Sequence, residues 1–229
     1  MRFTLVAIPL SFAVIILFFF SSCVDRDNRT GTDKRLKVVC LGDSITYGYK
    51  LKDPANESYP ARLQEMSHGR WQVLNLGVNG ATVLRTGDIP IIRQPAYERA
   101  LHSRPDVVVL MLGTNDIKDI NWKHINLFKR DYIGLLSALQ TLPSHPYVIA
   151  CSIPPILIDY PNGLTRERQQ KINILISSIV SQVGVDFLNV YSALAGKSSL
   201  FVDGIHPNAA GAQCIATLVF ERISTLKLL

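Results

Sequence analysis

The stretch Leu36-Lys-Val-Val-Cys-Leu-Gly-Asp-Ser-Ile-Thr46 begins as a mainly apolar run, Leu36 to Leu41, and breaks into Gly-Asp-Ser. A short apolar run rich in β-branched residues and stopped by a glycine predicts a buried strand. Four more runs of this kind follow, at Trp71 to Leu76, Val107 to Leu112, Tyr147 to Ser152 and Val185 to Val190. Between them, helical periodicity predicts helices near Tyr59 to Ser67, Ile92 to His102, Leu127 to Leu142, Thr165 to Val183 and Ala209 to Leu226. Apolar strands alternating with helices predict an α/β fold, a parallel sheet covered on both faces. A chain of 229 residues with 48% hydrophobic content suits one such domain with a substantial core, spanning residues 36–229. No internal repeat or low-complexity tract interrupts it.

Ser44, at the end of the first run, has partners far along the chain in Asp203-Gly-Ile-His206. Serine, acid and base thus occur in the order that serine-based acyl transfer can use. A serine hydroxyl is a poor nucleophile at neutral pH, so an imidazole such as His206 must take its proton and return it to the leaving group. An Asp three residues before the His can reach the ring Nδ1–H and stabilise the imidazolium. Pro207 is expected in the first turn of the last helix, where its missing N–H costs nothing. The tetrahedral intermediate also needs donors for its oxyanion. Leu74-Asn-Leu-Gly-Val-Asn-Gly-Ala-Thr82 offers the backbone N–H of Gly80, unobstructed by a Cβ. Leu110-Met-Leu-Gly-Thr-Asn-Asp116 offers the side-chain amide of Asn115, and the N–H of Ser44 is the third donor.

These four segments, in this order, resemble the four sequence blocks of the SGNH hydrolase superfamily, the GDSL-type esterases and lipases. The resemblance covers about residues 36–222, with Ile45 standing where the family's older name has leucine. It implies that Ser44 is the nucleophile, that Gly80 and Asn115 complete the oxyanion hole with Ser44, and that Asp203 and His206 finish a triad. It also implies a flavodoxin-like three-layer α/β/α sandwich with a five-stranded parallel sheet in the order 2-1-3-4-5. Ligands of open α/β sheets bind beyond the carboxyl ends of the strands, which is where Ser44, Gly80 and Asn115 would gather. The Gly-x-Ser-x-Gly elbow of α/β-hydrolases is excluded, because Thr46 stands two residues after Ser44.

Ahead of the domain, Arg2 and an apolar stretch from Leu5 to Phe20 lead into Ser21-Ser22-Cys23. The run is short for a membrane span and fits the core of a signal peptide over residues 1–22. Small residues before a cysteine resemble a bacterial lipoprotein signal, with Cys23 as the lipidated residue. An ordinary secretion signal and an uncleaved anchor are the alternatives. All three place the domain outside the cytoplasm, as a lipoprotein of the periplasm or cell surface or as a secreted protein. Residues 23–35 are polar and predict a tether. Cys40, Cys151 and Cys214 are scattered and apolar-flanked, which suggests buried hydrophobes and not a disulfide framework. No His/Cys spacing suggests a metal, and no cofactor is expected. The formal charge of +6 comes without a basic run interleaved with aromatics, which argues against a nucleic-acid partner.

Substrate identity rests on two segments expected to overhang the site, Val83 to Tyr97 and Lys118 to His124. Arg85 and Arg93 are candidates for hydroxyl or carboxylate groups, and Trp122 for stacking on a sugar or for packing a loop. Polar rims of this kind favour short acyl groups, acetyl above all, on a small-molecule or oligosaccharide ester. A lipid-directed acylhydrolase of lysophospholipase or thioesterase type is the alternative.

Overall fold

The computed structural model describes residues 35–226, so the leader, Cys23 and all of the tether but Arg35 lie outside the described residues. In chain order the elements are β1 (Leu36–Gly42), α1 (Ser44–Tyr47), α2 (Pro54–Glu57), α3 (Tyr59–Met66), β2 (Trp71–Gly77), α4 (Pro95–His102) and β3 (Val107–Met111). There follow α5 (Asp119–Trp122), α6 (Phe128–Gln140), β4 (Tyr147–Cys151), α7 (Arg166–Val183), β5 (Asp186–Leu188), α8 (Val190–Leu194) and α9 (Ala209–Ser224). The five strands form one parallel sheet in the order β2-β1-β3-β4-β5, with Val38 registered against Val73 on one side and Val107 on the other.

Strand side chains alternate between two cores, as a period of two requires. Val39 and Leu41 of β1, with Val108 and Leu110 of β3, pack on one face against Phe128, Tyr132 and Leu136 of α6 and Ile172 and Ile176 of α7. Val38 and Cys40, with Val109 and Met111, pack on the other face against Tyr59 and Leu63 of α3 and Ile215 and Val219 of α9. Burying each large aliphatic side chain contributes about 1.5–3 kcal/mol, so both layers are needed to hold β1 and β3, which have no solvent-facing side. Cys40 and Cys151 lie in this core as free thiols, and burial pushes the Cys40 thiol up to about 12, far from reactive.

Three boundaries differ from the sequence reading. The last strand stops at Leu188 because the side chain of Asn189 accepts the N–H of Ser192 and turns the chain into α8. The expected helix from Ile92 is split, since Gln94 precedes Pro95 and is extended, and α4 starts only at that proline. Pro207 is not in the first turn of α9. It forms an antiparallel bridge with Phe201, and Asn208 is the residue that caps the helix, its Oδ1 accepting the N–H of Gly211 at 3.1 Å.

Candidate active site

The turn after β1 is built around close packing. A Cβ on Gly42 would stand 2.1 Å from Thr46 Oγ1 and 2.7 Å from the carbonyl oxygen of Met111, so only glycine fits. Asp43 follows as the N-cap of α1, its Oδ1 accepting the N–H of Ile45 at 2.9 Å. Ser44 therefore occupies the first position of a one-turn helix, where its own N–H has no intrahelical acceptor. Its Oγ lies 3.1 Å from Nε2 of His206, across a separation of 162 residues.

Asp203 is the hub of the other half. Its Oδ2 is 2.8 Å from Nδ1 of His206, while its Oδ1 accepts the backbone N–H groups of His206 at 2.8 Å and Ile205 at 3.1 Å. The loop is clamped from a neighbouring segment. The N–H of Leu157 donates to the carbonyl of Gly204 at 2.8 Å, and the hydroxyl of Tyr160 donates to the carbonyl of Asp203. Burial raises the Asp203 carboxyl, but the N–H of His206, its imidazole and the N–H of Ile205 together outweigh it and hold the group below the ordinary carboxylate range. The carboxylate facing the imidazole is thus ionised at neutral pH.

The three expected oxyanion donors come from neighbouring strand ends. Gly80 is third in a turn closed by the Ala81 N–H on the Val78 carbonyl at 3.0 Å, with φ at +80°, the left-handed region such a position demands. Asn115 follows β3, and one N–H of its side-chain amide donates to the carbonyl of Ala81 at 3.1 Å. The next residue reinforces the same junction: Asp116 accepts the N–H of Val83 on one oxygen at 3.1 Å and that of Leu84 on the other at 2.8 Å. Burial pushes Asp116 up to about 7 against the pull of those two N–H groups, and pushes Asp43 up to about 6.

Several polar groups of the rim are tied into the fold. Asp88 and Asn121 bond to each other, with Asn121 Nδ2 2.8 Å from Asp88 Oδ1, joining the two overhanging segments. Trp122 is half-buried against the core and carries the Arg168 guanidinium 4.9 Å from its ring centre, while Arg168 also pairs with Asp119 at 2.6 Å. Arg85 is exposed; its N–H donates to Asp131 and its guanidinium lies near Gly134 on α6. Arg93 is exposed at the end of a 3-10 turn. None of the three is joined to Ser44, Asp203 or His206 by a hydrogen bond or ring contact among the described residues. Other groups stand beside the Asp203–His206 loop. Tyr49 meets His206 edge to face, ring centres 5.0 Å apart, and the exposed side chains of Ile158 and Val202 flank the Asp203 loop in contact or in sequence.

Sequence reasoning missed Asp43, Asp116, Tyr160 and Tyr49. Only the first left a local signal, an Asp directly before a helical turn; the others act through contacts that exist only once the strands are ordered. Among the described residues, no group of three or more His, Cys, Asp or Glu side chains is placed to hold a metal ion.

A parallel sheet in this order, with a serine at the end of its first strand touching a histidine brought from the other end of the domain, brings together groups that acyl transfer can use. The chain belongs to the GDSL-like lipase/acylhydrolase family, which it matches over residues 40–214. It is 30% identical over 206 residues to an acetylxylan esterase of Xylanibacter ruminicola, covering 82% of this chain and 43% of that protein. It is 22% identical over 257 residues to a multidomain esterase of Ruminococcus flavefaciens, covering 97% of this chain and 32% of that one. The chain therefore spans less than half the length of either relative. Its fold is shared by a carbohydrate acetylesterase from Sinorhizobium meliloti, with a TM-score of 0.70 at 18% identity, covering 83% of this chain and 99% of the other.

Proposed function

We propose that this chain is an extracytoplasmic serine esterase that removes short acyl groups, acetyl above all, from carbohydrate hydroxyls. The observation that carries the chemistry is the pair of contacts linking Ser44 Oγ to His206 at 3.1 Å and His206 to Asp203 at 2.8 Å. In this reading Ser44 Oγ attacks the ester carbonyl as His206 Nε2 takes its proton. The negative charge that forms on the carbonyl oxygen is met by the N–H groups of Ser44 and Gly80 and by the second N–H of Asn115. The intermediate collapses as His206 returns the proton to the departing alcohol oxygen, leaving Ser44 acylated. Water, deprotonated by the same imidazole, then releases the acid. Asp203, held ionised, stabilises the imidazolium in both halves. The substrate part of the proposal rests on the likeness to the acetylxylan esterase. Export follows from the reading of residues 1–23 as a lipoprotein signal.

A second reading, hydrolysis of lipid esters, is favoured by the exposed apolar side chains of Ile158 and Val202 beside the Asp203 loop. One experiment separates the two. The parent and Ser44→Ala are assayed on acyl esters from acetate to palmitate and on acetylated oligosaccharides, with circular dichroism as the check on folding. The proposal expects turnover of acetylated sugars, a preference for acetate, and a loss of about 10⁴-fold or more in the folded variant. Preference for palmitate would favour the lipid reading, and a fully active Ser44→Ala would remove the covalent mechanism.

A further inference from the structure

We infer that Tyr49 forms a subsite for the leaving alcohol, a stacking platform for the sugar ring whose hydroxyl carries the acyl group; this rests on the carbohydrate reading proposed above. The place of the leaving group is dictated by the proton. His206 Nε2 must deliver it to the departing oxygen, so that oxygen lies within hydrogen-bond reach of the imidazole, about 2.6–3.2 Å. Whatever the oxygen is attached to is then a neighbour of the groups around His206. Tyr49 is such a group, its ring centre 5.0 Å from that of the imidazole and the residue 42% exposed.

The position of Tyr49 is fixed by the same turn that presents the nucleophile. Helix α1 ends at Gly48, in the left-handed region at φ +91°, and the N–H groups of Gly48 and Tyr49 both donate to the carbonyl of Ser44, at 3.0 and 2.9 Å. Lys50, the next residue, is held at φ +72°, an uncommon conformation for a lysine. Its ammonium lies 5.3 Å from the Tyr49 ring centre, an exposed cation–π contact weak enough for a sugar ring to displace. An aromatic ring that is rigidly placed, half open to solvent and beside the proton donor can take the apolar C–H face of a pyranose while the sugar hydroxyls stay in water. The carbonyl oxygen is then met by the donors of Gly80 and Asn115, and the sugar lies toward Tyr49.

The test compares alcohols at constant acyl group, using the full domain. The parent, Tyr49→Ala and Tyr49→Phe are assayed on O-acetylated xylo-oligosaccharides and on ethyl acetate. In parallel, acetyl-enzyme generated from 4-nitrophenyl acetate is partitioned between water and added xylobiose. Tyr49→Ala is expected to lower the ratio of kcat/KM for acetylated sugar over ethyl acetate by about two- to tenfold, and to lower transfer to xylobiose by a similar factor. Tyr49→Phe is expected to restore both. Equal losses on both esters with an unchanged partition would overturn the subsite and leave Tyr49 as a prop for His206. A parent that hydrolyses ethyl acetate but no acetylated sugar would instead overturn the carbohydrate reading itself, and the subsite with it.

Discussion

The side-chain amide of Asn115 donates to the main-chain carbonyl of Ala81 at 3.1 Å, so the residue after β3 is fastened to the turn after β2. Only one of its two N–H groups is engaged in this way, and the other is the one proposed to meet the oxyanion. A donor that is also a tie between two loops is preorganised, which is what makes it effective in a transition state.

Asn115→Ala is therefore expected to lower kcat by roughly 10² to 10³ with little change in KM. Because the Ala81 carbonyl also loses its donor, the variant should be less stable by about 1 kcal/mol. Steady-state kinetics and urea melts check the two effects separately. A change in KM alone would make Asn115 a substrate-binding group.

Asp203 gives a pH dependence with a definite sign. Its folded pKa is depressed below the ordinary value of 3.8, so its charge-dependent stabilisation is fully present above that value and is lost as pH falls through the folded pKa. The stability gap between the parent and Asp203→Asn should be widest above about pH 5 and should narrow below pH 4, by denaturant melts at each pH. A gap that stays constant to pH 3 would show that hydrogen-bond geometry alone, and not the charge, is responsible.

A third expectation concerns the outer strand. Asp186 of β5 is nearly buried, with 8% of its side chain exposed, and is held in a bidentate pair by Arg222 of α9, whose Nε lies 2.6 Å from Oδ2. Arg222→Ala would leave that carboxylate with the Tyr147 hydroxyl but no cation, at a cost of about 1–3 kcal/mol, reduced because the arginine itself is partly exposed. Arg222→Lys should recover only part of this, since an ammonium cannot reproduce the planar fork. Thermal melts of the two variants test the order.

The parts of the site that were legible in the sequence are those with local causes. Ser44, Gly80 and Asn115 each follow an apolar run closely, so a parallel sheet gathers them on one edge. Asp203 and His206 are three residues apart and bond to each other within one loop. What escaped was decided by distant chain. Trp122 could stack on a sugar or pack a loop by its sequence alone, and only the fold shows it packed against the core with Arg168, from α7, over its ring; Tyr49 gave no sign of its contact with His206. Pro207 fits a first helical turn by its own chemistry, yet the bridge to Phe201 and the cap made by Asn208 moved the helix start past it.

The last prediction is the acyl-chain profile, and it turns on Ile89. The acyl substituent, which shares the tetrahedral carbon with the oxyanion, is expected beside Gly80. The space above Gly80 is occupied there: a Cβ on this glycine would stand 2.9 Å from Ile89 Cδ1. The Ile89 backbone is itself fixed, its carbonyl accepting the N–H of Thr82 at 2.9 Å and its N–H donating to Asp88 Oδ1 at 3.0 Å. Each methylene of a longer acyl chain contributes about 0.8 kcal/mol, close to fourfold in kcat/KM, only where an apolar wall can receive it. With Ile89 in place that room is missing, so kcat/KM should fall from acetate to octanoate esters. Ile89→Ala should move the optimum to butanoate or hexanoate while reducing acetate turnover, as the shortest acyl group loses its wall. Measured on a homologous series of 4-nitrophenyl esters, a profile that rises with chain length in the parent, or one that Ile89→Ala leaves in place, would put the acyl group elsewhere and remove the argument for a short-chain preference.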